Sequence, residues 1–243
     1  MKMGMGMPIP DLSNLPGVSR PGGGGGGGAP ALAQIDNLNS MSFDGINDKI
    51  NLPPTQISTG DFSISFWINT SFIGSSSVRD NILGSNGTNT YNNIFTFLSL
   101  QAGKVTSAAP GNTLPNGGDL TGVIADGNWH HIFLSFIKLA GPNSPQTGVL
   151  NTYVDGQSKY TINLPTNISY LNNTITTIGD YSQAGISPSR ALLGSLDEIG
   201  LWNVALTGAE ALSIYNATAV VGGVNKTADL SQLTTPPVAW YRM

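Results

Sequence analysis

Residues 61–70 read DFSISFWINT. Phe62, Ile64, Phe66 and Ile68 alternate with Ser63, Ser65, Trp67 and Asn69, and a period of two places the four apolar residues on one face of a β-strand. The same reading extends outward along the chain. In NNIFTFLSLQ (92–101), Phe95, Phe97 and Ser99 stand opposite Ile94, Thr96, Leu98 and Leu100. Both faces are partly apolar, which predicts a central strand. NWHHIFLSFI (128–137), GVLNTYVDGQ (148–157) and SLDEIGLWNV (195–204) add three strand candidates. Between them lie polar, turn-rich clusters such as GSNGTNTYNN (84–93), APGNTLPNGGD (109–119) and DYSQAGISPSR (180–190). Short strands joined by long polar turns predict a β-sandwich and argue against alternating strands and helices.

Local chemistry agrees with that layout. Asp155-Gly156 suits a two-residue hairpin, whose type I′ turn needs positive φ. Asp126-Gly127-Asn128 can turn the chain into a strand beginning at Trp129. One helix is predicted: Thr207 caps GAEALSIYN (208–216), and Glu210 completes a capping box.

Composition excludes several function classes. Ten basic and fourteen acidic groups give a net charge of −4, so no broad positive surface exists for a phosphate backbone, and nucleic acid is not expected as a partner. The chain has no cysteine, which removes disulfides and thiolate metal sites. MKMGMGMPIP lacks the apolar run of a signal peptide. No stretch approaches the ~18 apolar residues of a membrane span, so no membrane insertion is expected.

Four segments are expected. Residues 1–21 are expected as an extended arm punctuated by proline, with apolar side chains that a solvated tail would lack, and Pro8, Ile9, Leu12, Leu15 and Val18 are its candidate partner-binding residues; the alternative is a disordered leader. Residues 22–33 are a glycine-rich linker, whose seven glycines span about 15 Å as a coil and at most ~25 Å when stretched. Residues 34–216 hold the strand signals. Residues 217–243 end in PPVAWYRM; either they lead into a further unit, with the natural chain continuing past Met243, or they pair with the sandwich as a last strand.

SMSFDGINDKINLP (40–53), DFSISFWINT, DGNWHHIFLSF (126–136), VLNTYVDGQ (149–157) and GSLDEIGLWNVALTGAEALSIYN (194–216), in this order, resemble the laminin-G-like, concanavalin A-like jelly-roll domains of the subgroup shared with pentraxins. The resemblance covers about residues 40 to 216. It implies an all-β jelly-roll sandwich with one short helix behind the extended arm. It also implies calcium held by loop oxygens, for which Asp44, Asn47, Asp48 and Asp197 match the opening and closing motifs. The alternative for these residues is Asx turns and a structural hydrogen bond. Asp197 precedes Ile199 and Leu201 and is expected on the side to which those two point. The acidic cluster with which pentraxins bind paired calcium ions has no clear match.

Glycan binding is expected from loops rich in Asn, Asp, Gly and aromatics, with Asn89, Tyr91, Asn92, Asp180 and Tyr181 as candidates. His130 and His131 point to opposite faces and cannot chelate one metal together; one is expected in the core and one at the surface. The four tryptophans are expected mainly as core. No catalytic residues are expected: glycosidases need two carboxylates about 5 Å apart or more flanking the scissile bond, and the adjacent Asp197 and Glu198 are predicted on opposite faces.

The stretch MPIPDLSNLPGVSRPGGGGGGG (7–28) is similar to N-terminal leaders of virion proteins of tailed bacteriophages. That similarity implies a multi-copy or homo-oligomeric particle-surface component, assembled in a host cytoplasm. Its arm would grip other virion subunits, and its jelly-roll head would attach to a host-surface glycan. The alternative is a stand-alone carbohydrate-binding module.

Overall fold

A computed structural model describes residues 31–56, 60–73, 80–84, 98–107, 118–139, 146–168, 174–180, 191–221 and 223–243. The arm residues Pro8, Ile9, Leu12, Leu15 and Val18 lie outside the described residues, as do Asn89, Tyr91, Asn92 and Tyr181.

The stretch 61–70 becomes β4 (Phe62–Asn69), the middle of a seven-stranded antiparallel sheet. On one side of it lie β9 (Trp129–Lys138), β10 (Gln146–Val154) and β11 (Gln157–Ile168). On the other side lies β13 (Leu193–Trp202), which is flanked in turn by β2 (Met41–Asp44) and β16 (Ala239–Tyr241). The facing sheet has six strands in the order β3 (Ile50–Gln56), β12 (Thr174–Ile178), β5 (Asp80–Gly84), β6 (Leu98–Gln101), β7 (Lys104–Ser107) and β8 (Asp119–Val123). A third, three-stranded sheet joins β1 (Gln34–Asp36), β15 (Val224–Ala228) and β14 (Ala219–Val221). Of the segment 92–101 predicted as one strand, the described part is β6.

The main core lies between the two large sheets. Phe62, Ile64, Phe66 and Ile68 enter it together with Ile132, Leu134, Phe136, Ile82, Leu98, Leu100 and Ile178. Period two would leave the opposite face of β4 wet, but Ser63, Ser65 and Trp67 are buried as well. The helix α1 (Gly208–Asn216) and the turn Leu230–Gln232 supply the cover, with Phe133, Trp202, Leu206, Ala211, Ile214 and Leu230 forming a second apolar layer. The predicted cap is present: Thr207 Oγ1 accepts from the Glu210 N–H at 3.2 Å, and the Glu210 carboxylate accepts from the Thr207 N–H at 2.7 Å.

The C-terminal segment contributes a last strand to the sandwich, one of its two expected roles: β16 pairs with β13, and Trp240 packs in the second apolar layer. One expectation is corrected. Asp197 does not share the side of Ile199 and Leu201. A β-bulge between Asp197 and Gly200 inserts one residue, Glu198, at φ +49°, and Asp197 pairs across the sheet with Trp67 on the helix-covered face. Glu198 faces the same way, because its carboxylate accepts from the Trp240 indole at 2.6 Å.

Candidate functional site

The predicted metal residues separate in space. Asp44, Asn47 and Asp48 form the β2–β3 turn, where Asp44 Oδ1 accepts from the N–H groups of Ile46 (2.8 Å) and Asn47 (3.4 Å), and Asp48 Oδ2 accepts from the Asp44 N–H. This is the Asx geometry that short acids adopt when their oxygens serve their own backbone. Asp197 lies four residues down β13 from Leu193, the partner of Asp44, about 13 Å along the strand. It is buried, and its oxygens accept from Asn37 Nδ2 and the Glu198 N–H, both at 2.8 Å. Burial, with Glu198 adding, pushes its carboxyl up to about 7. The structure therefore does not bring Asp197 to the Asp44 turn. Among the described residues no three His, Asp or Glu side chains gather into a metal-holding group.

The histidines divide as expected by face. His131 is fully buried between Trp67, Phe133 and Tyr215, its Nε2 2.8 Å from Ser65 Oγ; burial pulls it down to about 4. His130 is clasped at the strand end, Nδ1 2.8 Å from Asp155 and Nε2 3.1 Å from Asp126. The Asp155 hydrogen bond is the largest cause raising it.

Asp180 is the described member of the glycan set, and it sits in a different environment from the Asx turn. Gly179 donates to the Ile82 carbonyl at 3.0 Å, and Ile178 pairs with Leu83. Continued one step, this antiparallel register brings Asp180 opposite Asn81, with Asp80 next to it on β5. Gly179 cannot be replaced freely: φ is +88°, and an added Cβ would run into the Phe43 ring. Asp180 is buried, and its Oδ1 has no hydrogen-bond partner. Asp80 is also buried, and burial pushes its carboxyl up to about 6. The Asp44 turn is a neighbour, since Gly45 N–H bonds the Leu192 carbonyl (2.9 Å) and Leu192 N–H bonds that of Gly179 (2.7 Å).

From this end a row of small polar residues crosses the outer face of the six-stranded sheet. Asn81 pairs with Ser99, Ser99 with Thr106 and Thr106 with Asp119. Ser99 and Thr106 hydroxyls lie 3.2 Å apart. Asp119 holds Lys104 at 2.9 Å and accepts from the N–H groups of Thr121 and Gly122. Asp80 and Asn81 escaped the sequence reading because a two-residue Asp-Asn step before Ile-Leu-Gly has no periodic signature. The signal available was two oxygen-bearing residues at the entry of a short apolar strand.

Two packed antiparallel sheets, one covered by a helix and one faced with polar side chains, define a lectin-type jelly roll. The concanavalin A-like lectin/glucanases superfamily model matches residues 44–211, and the chain belongs to that family. A candidate carbohydrate-binding protein from Bacteroides ovatus superposes with a TM-score of 0.53 at 15% identity over 88% of this chain, which spans about half (52%) of that protein. Domain 4 of an extracellular arabinanase from Geobacillus stearothermophilus, solved with arabinotriose, gives 0.46 at 17% identity, covering 76% of this chain and 81% of that one. A heptameric SAP-like pentraxin from Limulus polyphemus gives 0.43 at 13% identity, covering 77% and 90%. No curated protein matches the sequence.

Proposed function

We propose that the chain is a non-catalytic glycan-binding module whose site is the Asp80–Asn81–Asp180 end of the six-stranded sheet. The observation that carries this reading is Asp180 Oδ1, a buried acceptor left without a partner; such a group costs about 1–3 kcal/mol unless a ligand, ion or water takes it up. A cation is a natural complement for a buried carboxylate oxygen. Asn81 and Asp180 would begin the oxygen set of a calcium ion, which would offer open positions to sugar hydroxyls. Membership of a lectin and glucanase superfamily supports a saccharide as the ligand.

The test is a glycan array probed with the full chain, in calcium and in EDTA, alongside Asp180→Asn and Asn81→Ala. Loss of binding in both variants, with unchanged circular dichroism, is the expected result. Variants that bind like the parent would end this reading. The particle-surface role rests on the sequence of residues 7–28, and co-sedimentation of the full chain with and without residues 1–33 tests it.

A further inference from the structure

One end of the sandwich, the end that carries Asp80 and Asp180, is ringed by apolar side chains that nothing described covers. Ile46, Leu193, Phe72, Ile73 and Val123 are 39% to 67% exposed. They are contiguous. Gly45 abuts the Leu193 side chain, so Ile46 stands beside it. Thr70 Oγ1 donates to the Leu193 carbonyl and accepts from the Phe72 N–H. Around Gly103, the Ile73 backbone and the Val123 side chain close the belt, 3.8 and 3.5 Å from the position of an added Cβ. The belt crosses β2, β13 and β4 and then passes to the facing sheet, a path of about 20–25 Å. Acids mark both ends: Asp44 and Asp48 flank Ile46, and Asp126 follows Val123 by three residues.

The arm has the complementary pattern. Ile9, Leu12, Leu15 and Val18 recur every third residue among Pro8, Pro10, Pro16 and Pro21. A polyproline II helix has three residues per turn and ~3.1 Å rise, so that spacing makes one apolar stripe about 28 Å long. Lys2 precedes the stripe and Arg20 follows it.

We propose that residues 8–21 dock on this belt of their own chain, as a strap across the rim. The tether reaches. Ala33 accepts from the Asp229 N–H, and Gln34 Nε2 donates to the Ala217 carbonyl at the end of α1. Leu212 and Tyr215 of α1 lie against Gly156. His130 links Asp155 of that turn to Asp126, and Gly127 N–H bonds the Thr70 carbonyl within the belt. Arm root and belt are thus joined by a short run of direct contacts along one side of the sandwich, and Gly22–Gly28 can span ~15–25 Å. A tether of that length presents the arm at an effective concentration on the order of millimolar, which favours its own belt over that of another copy. A docked arm and an arm gripping a particle exclude each other.

The chain has no cysteine, so paired cysteines report proximity cleanly. In the full chain, Ser13→Cys with Ser71→Cys at the belt is compared with Ser13→Cys with Leu139→Cys, which lies at the opposite end of β9. Under mild oxidation the belt pair is expected to close within one chain, on the order of tenfold faster than the control pair. Equal rates, or disulfides only between chains, would overturn the proposal. In a second measurement, Ile73→Asp and Val123→Asp, both at exposed positions, are expected to speed chymotrypsin cleavage after Leu12 on the order of tenfold. An unchanged cleavage rate would also overturn it.

Discussion

The outer faces of the two large sheets start from similar strands and end as opposites. On the seven-stranded sheet the outward residues are Trp67, His131, Phe133 and Trp202, and α1 with the Leu230 turn lies on them as a second apolar layer. On the six-stranded sheet the outward row is Asn81, Ser99, Thr106 and Asp119. Size and polarity decide the difference. Large rings bury 150–250 Å² each and gain from being covered. Small hydroxyl and amide groups gain little from an apolar cover and lose hydrogen bonds to it. The first face is therefore an apolar layer under α1, and the second a row of buried polar groups, with Ser99 and Thr106 hydroxyls bonding each other across it.

The largest test of that contrast is truncation on each face. Trp202→Ala removes a fully buried ring and its indole bond to the Thr235 carbonyl at 3.0 Å, and should cost about 3–5 kcal/mol in urea unfolding. Ser99→Ala, equally buried but on the polar row, should cost about 1 kcal/mol or less. Comparable losses at the two positions would show that both faces are load-sharing core.

The faces should also respond to pH with opposite sign through His131 and Asp80. Burial lowers His131 to about 4 in the fold from its ordinary value of 6.5. The unfolded chain therefore takes up the proton first, and the stability that neutral His131 contributes is complete above about 6.5 and is lost as pH falls towards 4. The effect is on the order of 3 kcal/mol, and the difference in unfolding free energy between His131→Gln and the parent, followed from pH 7.5 to 4, isolates it. A pH-independent difference would mean that α1 leaves the imidazole wet. For Asp80 the direction reverses. Its carboxyl is raised to about 6, so its favourable contribution is complete below about 4 and lost as pH rises through 6. Asp80→Asn should accordingly be more stable than the parent at pH 7, by about 2 kcal/mol, as urea unfolding of the two would show.

Much of this frame was legible in sequence, for identifiable reasons. The alternation in 61–70, the Asp155-Gly156 turn at φ +51° and +73° and the Thr207 box are local signals, and each appears where the residues place it. What was illegible depends on single-residue insertions and on contacts between distant segments. The bulge at Glu198 reversed the side of Asp197, because one extra residue flips every later side chain and leaves no mark in composition. Trp67 was expected in the core, but the source of its cover, residues 208–216 far along the chain, has no mark in the strand itself. Asp180 was found through its loop composition, whereas Asp80 and Asn81 required the β5–β12 register to become its neighbours.

The smallest expected effect bears on what separates the two faces, namely the helix. Nine residues are too few for a helix to persist alone in water, so α1 holds through its cap and its packing on Trp67, His131 and Phe133. Thr207→Ala removes the Oγ1 bond to the Glu210 N–H and the one that Oγ1 makes to the Glu210 carboxylate at 2.8 Å, and should cost about 1 kcal/mol. The loss should be local. Amide exchange in 208–217 should quicken roughly fivefold relative to β5 and β6, and glycan binding should stay at the parent level, because the helix covers only the aromatic face. Faster exchange across both sheets would mean that the cover and the polar row open as one unit, and the contrast between the faces would then be one of surface chemistry alone.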